Sequence, residues 1–175
     1  MARLPNLTRD NVPPEFLEAF DEVTAESGGV ITGGPGSITI NSPEMARRRS
    51  HLTNYLRFES TFPKKIQELA IIVTARAMDC QYVWNAHAPA ARNQGVSDAL
   101  VDAIRDKSSL PNLAPDESAI INYATEFFQT HKVSTTTFDT ALNQFGNQHL
   151  VEITALIGHY TQTSMILNAF EVTLP

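Results

Sequence analysis

Cysteine, tryptophan and long apolar runs are all scarce in this sequence. The 175 residues include one cysteine and one tryptophan, so no disulfide can form within the chain and zinc sites built from paired cysteines are excluded. A single cysteine fits a reducing compartment, and the polar start of the chain lacks the apolar segment of a secretory signal. We therefore expect a cytoplasmic protein.

Positive charge is also in short supply. The net charge is −6, and the one dense basic cluster, Arg47 to Arg49, is adequately explained as a solvated helix face. An acidic background argues against nucleic acid as a partner. No segment approaches the roughly 18 consecutive apolar residues of a membrane-spanning helix, so no membrane partner is expected. What remains is an ordinary globular balance of 42% hydrophobic and 18% charged residues.

Apolar residues recur at helical spacing through most of the chain. This periodicity predicts an all-α domain of about seven helices. Residues 1–27 are predicted to form an N-terminal arm and a first helix, and residues 28–175 the main domain, with the whole chain forming one compact unit. The glycine-rich stretch 28–37 is predicted to be a loop. It lacks the lysine and hydroxyl pair of a phosphate-binding loop, so that function is rejected.

The end of the chain is predicted to contain two helices. One begins at Ser134 and runs to about Phe145, and the second runs from about Asn147 to about Phe170. The second is long and mostly apolar, and its apolar face is broad enough to pack partly against another subunit. We therefore expect a homo-oligomer, although the sequence does not give the number of subunits.

Reactive side chains are concentrated between Glu68 and His87. Glu68 lies in an apolar helical run and is either partly buried or a solvated surface residue. Cys80 lies near a helix start, which favours a reactive thiolate, or is an inert buried side chain. His87 follows Cys80 by two helical turns, about 10.5 Å along the axis, so the two side chains cannot pair directly unless the first turn is unwound. A lone core histidine is the alternative for His87.

Two further aromatic residues are candidates for a pocket. His159 and Tyr160 lie side by side on the long final helix, where an apolar surrounding favours either a pocket wall or simple packing. No His-Glu-x-x-His spacing and no serine–histidine–aspartate order is present. We therefore predict neither a metal site nor a cofactor.

The candidate residues carry a family resemblance. The run from Glu68 to His87, ELAIIVTARAMDCQYVWNAH, followed by Ala91 to Ser97, resembles the carboxymuconolactone decarboxylase family, whose superfamily includes alkylhydroperoxidase D. The resemblance extends over roughly residues 28–175. It implies an all-α, alkylhydroperoxidase D-like fold and an assembly of two, three or six subunits.

The hydroperoxidase members of this superfamily imply one set of roles. They have a glutamate, a first cysteine, a second cysteine three residues later and then a histidine. Glu68, Cys80 and His87 occupy three of these places, but Val83 stands where the attacking thiol is expected. Tyr82 also replaces a histidine beside it. A two-cysteine cycle is therefore chemically excluded, and a peroxiredoxin activity through Cys80 alone would need an outside thiol.

The decarboxylase members imply another set of roles. They need no thiol pair and no cofactor, and Glu68 and His87 would transfer protons during loss of carbon dioxide from a carboxylated lactone. Arg76 or Arg92 would anchor the substrate carboxylate, with a surface role as the alternative for Arg92. Tyr82 and Trp84 would line the pocket with Val83, although core packing explains the two aromatic residues equally well.

Three functions remain open from the sequence. The leading hypothesis is a cofactor-free acid–base enzyme of the lyase or isomerase type, acting on a small carboxylated lactone or carbonyl compound. The second is a peroxiredoxin-like enzyme using Cys80. The third is an oligomer that binds a small acid without turning it over. Family resemblance does not decide among these chemistries.

Overall fold

Every regular element in residues 2–174, the part of the chain that the structure describes, is helical in this computed structural model. This confirms the predicted all-α fold, with one α-helix more than the predicted seven or so. The eight α-helices of these residues are α1 (Leu17–Thr24), α2 (Gly34–Thr39), α3 (Pro43–Asn54), α4 (Lys64–Ala77), α5 (Gln81–Asn93), α6 (Asp98–Asp106), α7 (Pro115–Thr130) and α8 (Thr135–Ala169).

The helices group into two compact units. One contains the residues up to Glu59 together with those from Met165 onward, and the other contains Ser60–Ser164. The first unit includes α1 to α3, and short 3₁₀ turns flank α1 at Pro14–Phe16 and Ala25–Ser27. After α3 the chain continues as a π-helical turn over Tyr55–Glu59. The first unit has its own small core, formed by Val12, Phe20, Ile40 and Ala46.

The prediction of a loop over residues 28–37 was wrong at its C-terminal end. The helix α2 begins at Gly34, with Pro35 in its first turn, where proline's missing N–H costs no hydrogen bond. Ile38 is 6% exposed and Ile40, just after the helix, is fully buried. Burial of these side chains stabilises a six-residue helix that a glycine-rich sequence would not form alone.

The start of α3 has a proline in the position that helices favour and acidic partners for its arginines. Ser42 precedes the helix and Pro43 is its first residue. Arg47 forms ion pairs with Glu22 and Glu44, and Arg48 pairs with Glu44. These arginines are therefore neutralised locally by acidic side chains, which agrees with their interpretation as part of a helix surface.

In the second unit, α4 is the central element. Each of its residues from Ile66 to Ala75 is buried, and α4 packs against α5, α6 and α7. A helix that is enclosed on every side requires an apolar sequence nearly all the way round. Gln67, Glu68 and Thr74 are the polar exceptions among these ten residues.

Sharp backbone turns connect α4, α5 and α6. Asp79 adopts a left-handed conformation with φ of 46°, and Cys80 is the extended residue directly before α5. At the other end of α5, Gly95 has φ of 91°, the left-handed conformation with which a glycine commonly ends a helix. Ser97 then caps α6, because its hydroxyl accepts the Leu100 N–H at 3.3 Å.

The two helices predicted at the end of the chain correspond to the two halves of α8. Helical structure extends over Thr135–Ala169, but Gly146 interrupts it with φ of 73° and ψ of 171°. This conformation is essentially confined to glycine. The predicted boundary between Phe145 and Asn147 is thus confirmed. None of the helices described in residues 2–174 has the length and apolar character needed to cross a membrane.

Candidate active site

The site centres on a contact between α4 and α5. His87 Nδ1 lies 2.7 Å from Glu68 Oε2. An ionised carboxylate can only accept hydrogen bonds, so the imidazole carries its proton on Nδ1 and donates it to Glu68. Their side chains are 13% and 6% exposed, respectively. The structure therefore brings together two of the three predicted catalytic residues in a largely enclosed position.

The packing of the two helices explains why this pair forms. Glu68 lies in the second turn of α4 among fully buried neighbours such as Leu69 and Ile72. A carboxylate in such surroundings requires a hydrogen-bonding partner, since burial without one costs several kcal/mol. His87 lies near the middle of α5 and supplies that partner. The second imidazole nitrogen, Nε2, takes no part in this hydrogen bond.

An aromatic side chain from α8 completes the surroundings of His87. The Tyr160 ring lies edge to face with the imidazole, with centroids 5.0 Å apart and planes at 85°. Tyr160 is 6% exposed, and His159 is packed against it with centroids 5.6 Å apart. The structure thus brings the Tyr160 ring into contact with His87, whereas the ring contact of His159 is with Tyr160. This edge-to-face contact limits rotation of the imidazole.

Cys80 lies apart from the His87–Glu68 pair. It is 1% exposed and precedes the first turn of α5. A cavity of about 170 Å³ adjoins it, and among the described residues its lining includes Arg76, Trp84 and Arg105 but neither Glu68 nor His87. Cys80 and His87 thus have different immediate surroundings, in agreement with their two-turn separation in the sequence.

The residues between Cys80 and His87 have distinct environments. Val83 is 3% exposed and precedes His87 by one helical turn, so both side chains lie on the same face of α5. Trp84 is 9% exposed and lines the cavity beside Cys80. Tyr82 is half-buried. Val83 and Trp84 are four and three residues before His87, so both lie toward the face of α5 that carries it.

The two candidate anchors for a substrate carboxylate are engaged elsewhere. Arg76 lies two turns beyond Glu68, about 12 Å along α4. Its Nη1 donates to Asp79 at 2.6 Å and its Nε to the Arg105 carbonyl oxygen at 2.8 Å. Arg92 connects α5 to α6 by donating to Asp98 at 2.9 Å and Asp102 at 2.8 Å. The structure therefore does not bring either guanidinium to the His87–Glu68 pair.

Some residues near these sites carried no sequence signal. Arg105 lines the cavity beside Cys80 only because α4, α5 and α6 meet there. Arg105 is twenty-five residues from Cys80, so no local spacing connects the two. Within residues 2–174, no group of three or more histidine, cysteine, aspartate or glutamate side chains is arranged to hold a metal ion.

Several solved structures have a fold similar to that of this chain. A peroxidase-related protein with an alkylhydroperoxidase D core from Ralstonia eutropha JMP134 has a TM-score of 0.72 at 17% identity, covering 99% of this chain and 92% of that one. A peroxidase-related protein from Silicibacter sp. TM1040 has a TM-score of 0.73 at 17% identity, covering 98% and 91%. The debrominase Bmp8 has a TM-score of 0.71 at 15% identity, covering 97% and 90%. The chain thus has the alkylhydroperoxidase D-like fold.

A comparison of sequences with family models adds a match to part of the chain. Residues 43–126 match the carboxymuconolactone decarboxylase family. This segment, a little under half of the chain, includes Glu68, Cys80 and His87, so the resemblance to that family is confirmed over residues 43–126. The comparison with curated proteins found no match.

Proposed function

We propose that the protein is a cofactor-free acid–base enzyme in which His87 transfers a proton through Nε2. The observation that carries this proposal is the 2.7 Å contact between His87 Nδ1 and Glu68 Oε2. With Nδ1 held by the carboxylate, the neutral imidazole presents the lone pair of Nε2. The protonated imidazole presents an Nε2–H, and the charge of Glu68 stabilises the imidazolium.

The substrate class we propose is a small carboxylated lactone or a related carbonyl compound. In the decarboxylation, the bond between the carboxylate carbon and the ring breaks, carbon dioxide leaves and the electron pair remains as a dienolate. The Nε2–H of protonated His87 then donates its proton to carbon, and His87 regains a proton from water. An isomerase would use the same imidazole first as base and then as acid.

Turnover measurements test this proposal. Carbon dioxide release from a panel of carboxylated γ-lactones is measured for the wild-type chain, His87→Gln and Cys80→Ser. We expect turnover with at least one lactone, a decrease in kcat of about 10²- to 10⁴-fold in His87→Gln, and no change in Cys80→Ser. Full activity in His87→Gln would disprove the proposal.

A thiol enzyme is the second candidate, and the cavity beside Cys80 is the observation that favours it. Cys80 precedes the first turn of α5, and two arginines line the adjoining cavity. A helix N-terminus and neighbouring cationic side chains are general features of reactive cysteine sites, although Asp79 also lines this cavity. The thiolate would attack a hydroperoxide and release an alcohol, forming a sulfenic acid. Two equivalents of a small thiol would then restore Cys80, releasing water and a disulfide.

The same variants distinguish the second candidate. Peroxide consumption that requires a small thiol, disappears in Cys80→Ser and persists in His87→Gln would support thiol chemistry. The 1% exposure of Cys80 weighs against it, because a buried thiol reacts slowly. The absence of peroxide consumption, together with lactone turnover, would eliminate this candidate.

A further inference from the structure

A second cavity, of about 570 Å³, lies between α4, α6 and α7. Its size is within the range of roughly 300–1,000 Å³ that is typical of small-molecule sites. Every residue that lines it belongs to the unit Ser60–Ser164, and among the described lining residues neither Glu68, Cys80 nor His87 is present. The cavity is therefore separate from both candidate catalytic groups.

The cavity has an apolar wall. Val73 of α4, Ile104 of α6 and Ile121 and Phe128 of α7 line it. The first three are also parts of the core, with exposures of 8%, 8% and 5%, so the positions of these side chains are fixed by packing. An aliphatic chain or ring placed against this wall would be removed from water.

Two cationic side chains also line the cavity. Arg76 and Lys107 share a single carboxylate, that of Asp79, at 2.6 Å and 3.4 Å. The contact of Lys107 is long for a charge-assisted hydrogen bond, which typically measures about 2.7–2.9 Å. A second carboxylate, that of Asp106, also acts on Arg76, but Arg105 binds it through two hydrogen bonds. Arg76 and Lys107 therefore have only the Asp79 carboxylate to themselves, which leaves a net positive charge. This arrangement is complementary to an additional anion.

We propose that this cavity binds a small amphipathic carboxylate. Its apolar body contacts Val73, Ile121 and Phe128, and its carboxylate lies between Lys107 and Arg76. A neutral molecule with the same body would leave the positive charge uncompensated. A carboxylate without an apolar chain or ring would gain no binding energy from the apolar wall. The proposal does not depend on the function assigned to His87.

Calorimetric titration of the full chain with octanoate tests the proposal. Octanamide provides the same apolar body without charge, and acetate provides the charge without the body. We expect saturable binding of octanoate, affinity for octanamide that is weaker by about tenfold or more, and no measurable binding of acetate. No saturable binding of octanoate, or equal affinities for octanoate and octanamide, would overturn the proposal.

Two glycine variants test the role of Lys107 without a folding artefact. Lys107 has φ of 50° at the end of α6, a conformation that favours glycine, so Lys107→Gly removes the ammonium and should not weaken the fold. We expect affinity for octanoate to fall by about tenfold to a hundredfold. His131→Gly is the matched control, because His131 has φ of 60° at the end of α7 and does not line the cavity. Unchanged affinity in Lys107→Gly, or an equal loss in His131→Gly, would contradict the proposal.

Two more variants locate the binding site. Ala77 is an exposed residue that lines the cavity at the end of α4, so Ala77→Phe places a ring at the site without enlarging a buried side chain. We expect this variant to block octanoate. His87→Gln should bind octanoate as the wild type does, even where lactone turnover is lost. Normal binding by Ala77→Phe, or loss of binding in His87→Gln, would show that octanoate occupies a different site.

Discussion

His87 donates its Nδ1 proton to Glu68 across the contact between α4 and α5, over a distance of 2.7 Å between the two heavy atoms. This bond fixes the imidazole tautomer and leaves Nε2 as the nitrogen available for chemistry. Glu68 is more enclosed than His87, at 6% against 13% exposure. In the function proposed above, the carboxylate would therefore be the positioning group and the histidine the group that meets a substrate.

Glu68→Gln should show whether the charge of Glu68, rather than the space its side chain fills, matters for His87. The amide keeps the size of the side chain but loses the negative charge that stabilises the imidazolium, so we expect kcat for lactone turnover to fall by about 10²-fold with little change in KM. The readout that does not depend on turnover is the imidazole ¹⁵N chemical shift of His87, which reports its tautomer. An unchanged tautomer together with unchanged kcat would refute the role given to Glu68.

The ion pair of Lys65 with Glu117 should make stability depend on pH. Burial of Glu117 opposes ionisation, but hydrogen bonds from Lys65 and from the Ala114 N–H outweigh it, so the pKa of Glu117 lies below 4.5. A lowered pKa contributes stability that is present above the unfolded pKa, and the contribution is lost as the pH falls through the folded pKa.

Urea unfolding of Glu117→Gln measures this contribution. We expect the variant to lose about 1–3 kcal/mol of unfolding free energy near neutral pH, and the difference from wild type to shrink as the pH falls below 4.5. Glu26→Gln, at an exposed position, controls for the loss of one carboxylate. A difference that stays constant down to strongly acidic pH would contradict the assignment to this ion pair.

The sequence predicted the helices well because their signals are local. The start of α3 at Pro43, the cap of α6 at Ser97 and the stop at Gly95 each depend on a few adjacent residues. The short helix α2 was missed because its stability depends on burial of Ile38 and Ile40, which its own sequence does not show. Local signals were thus sufficient wherever tertiary packing did not override them.

The candidate site was predictable only in part. The spacing of Glu68 and His87 matched a family pattern, and the structure shows these two side chains in contact. Local spacing could not show that Arg76 points to Asp79 and the Arg105 carbonyl oxygen instead. It also could not reveal the cavity lined by Lys107, since that cavity exists only where three helices meet. Contacts between residues that are distant in the sequence can be identified only once the fold is known.

Two glycines of α8 should respond to alanine with opposite signs. Gly146 has φ of 73° and ψ of 171°, so Gly146→Ala forces an alanine into strained backbone and should lower the unfolding free energy by about 1–3 kcal/mol. Gly158 has an ordinary helical backbone, and a Cβ there would meet nothing within 4 Å. Gly158→Ala should therefore raise the unfolding free energy by about 0.5–1 kcal/mol. Chemical denaturation of the two variants measures both values, and equal effects would contradict the interpretation of Gly146 as a helix break.

Val83→Cys should introduce the two-cysteine pattern that the hydroperoxidase members of the superfamily use and that Val83 interrupts in this chain. Val83 lies one helical turn before His87 and three residues after Cys80, so a cysteine there completes the Cys-x-x-Cys pattern at the start of α5. We expect the variant to form a disulfide under oxidising conditions, measured as loss of both free thiols, and to consume peroxide faster than the wild type in the presence of a small dithiol. Ala86→Cys is the matched control, because it adds a thiol on the same helix at an exposed position six residues from Cys80, too far along the helix for a disulfide. If Val83→Cys and Ala86→Cys consume peroxide at the same rate, the pattern beside His87 is not what limits peroxidase chemistry in this fold.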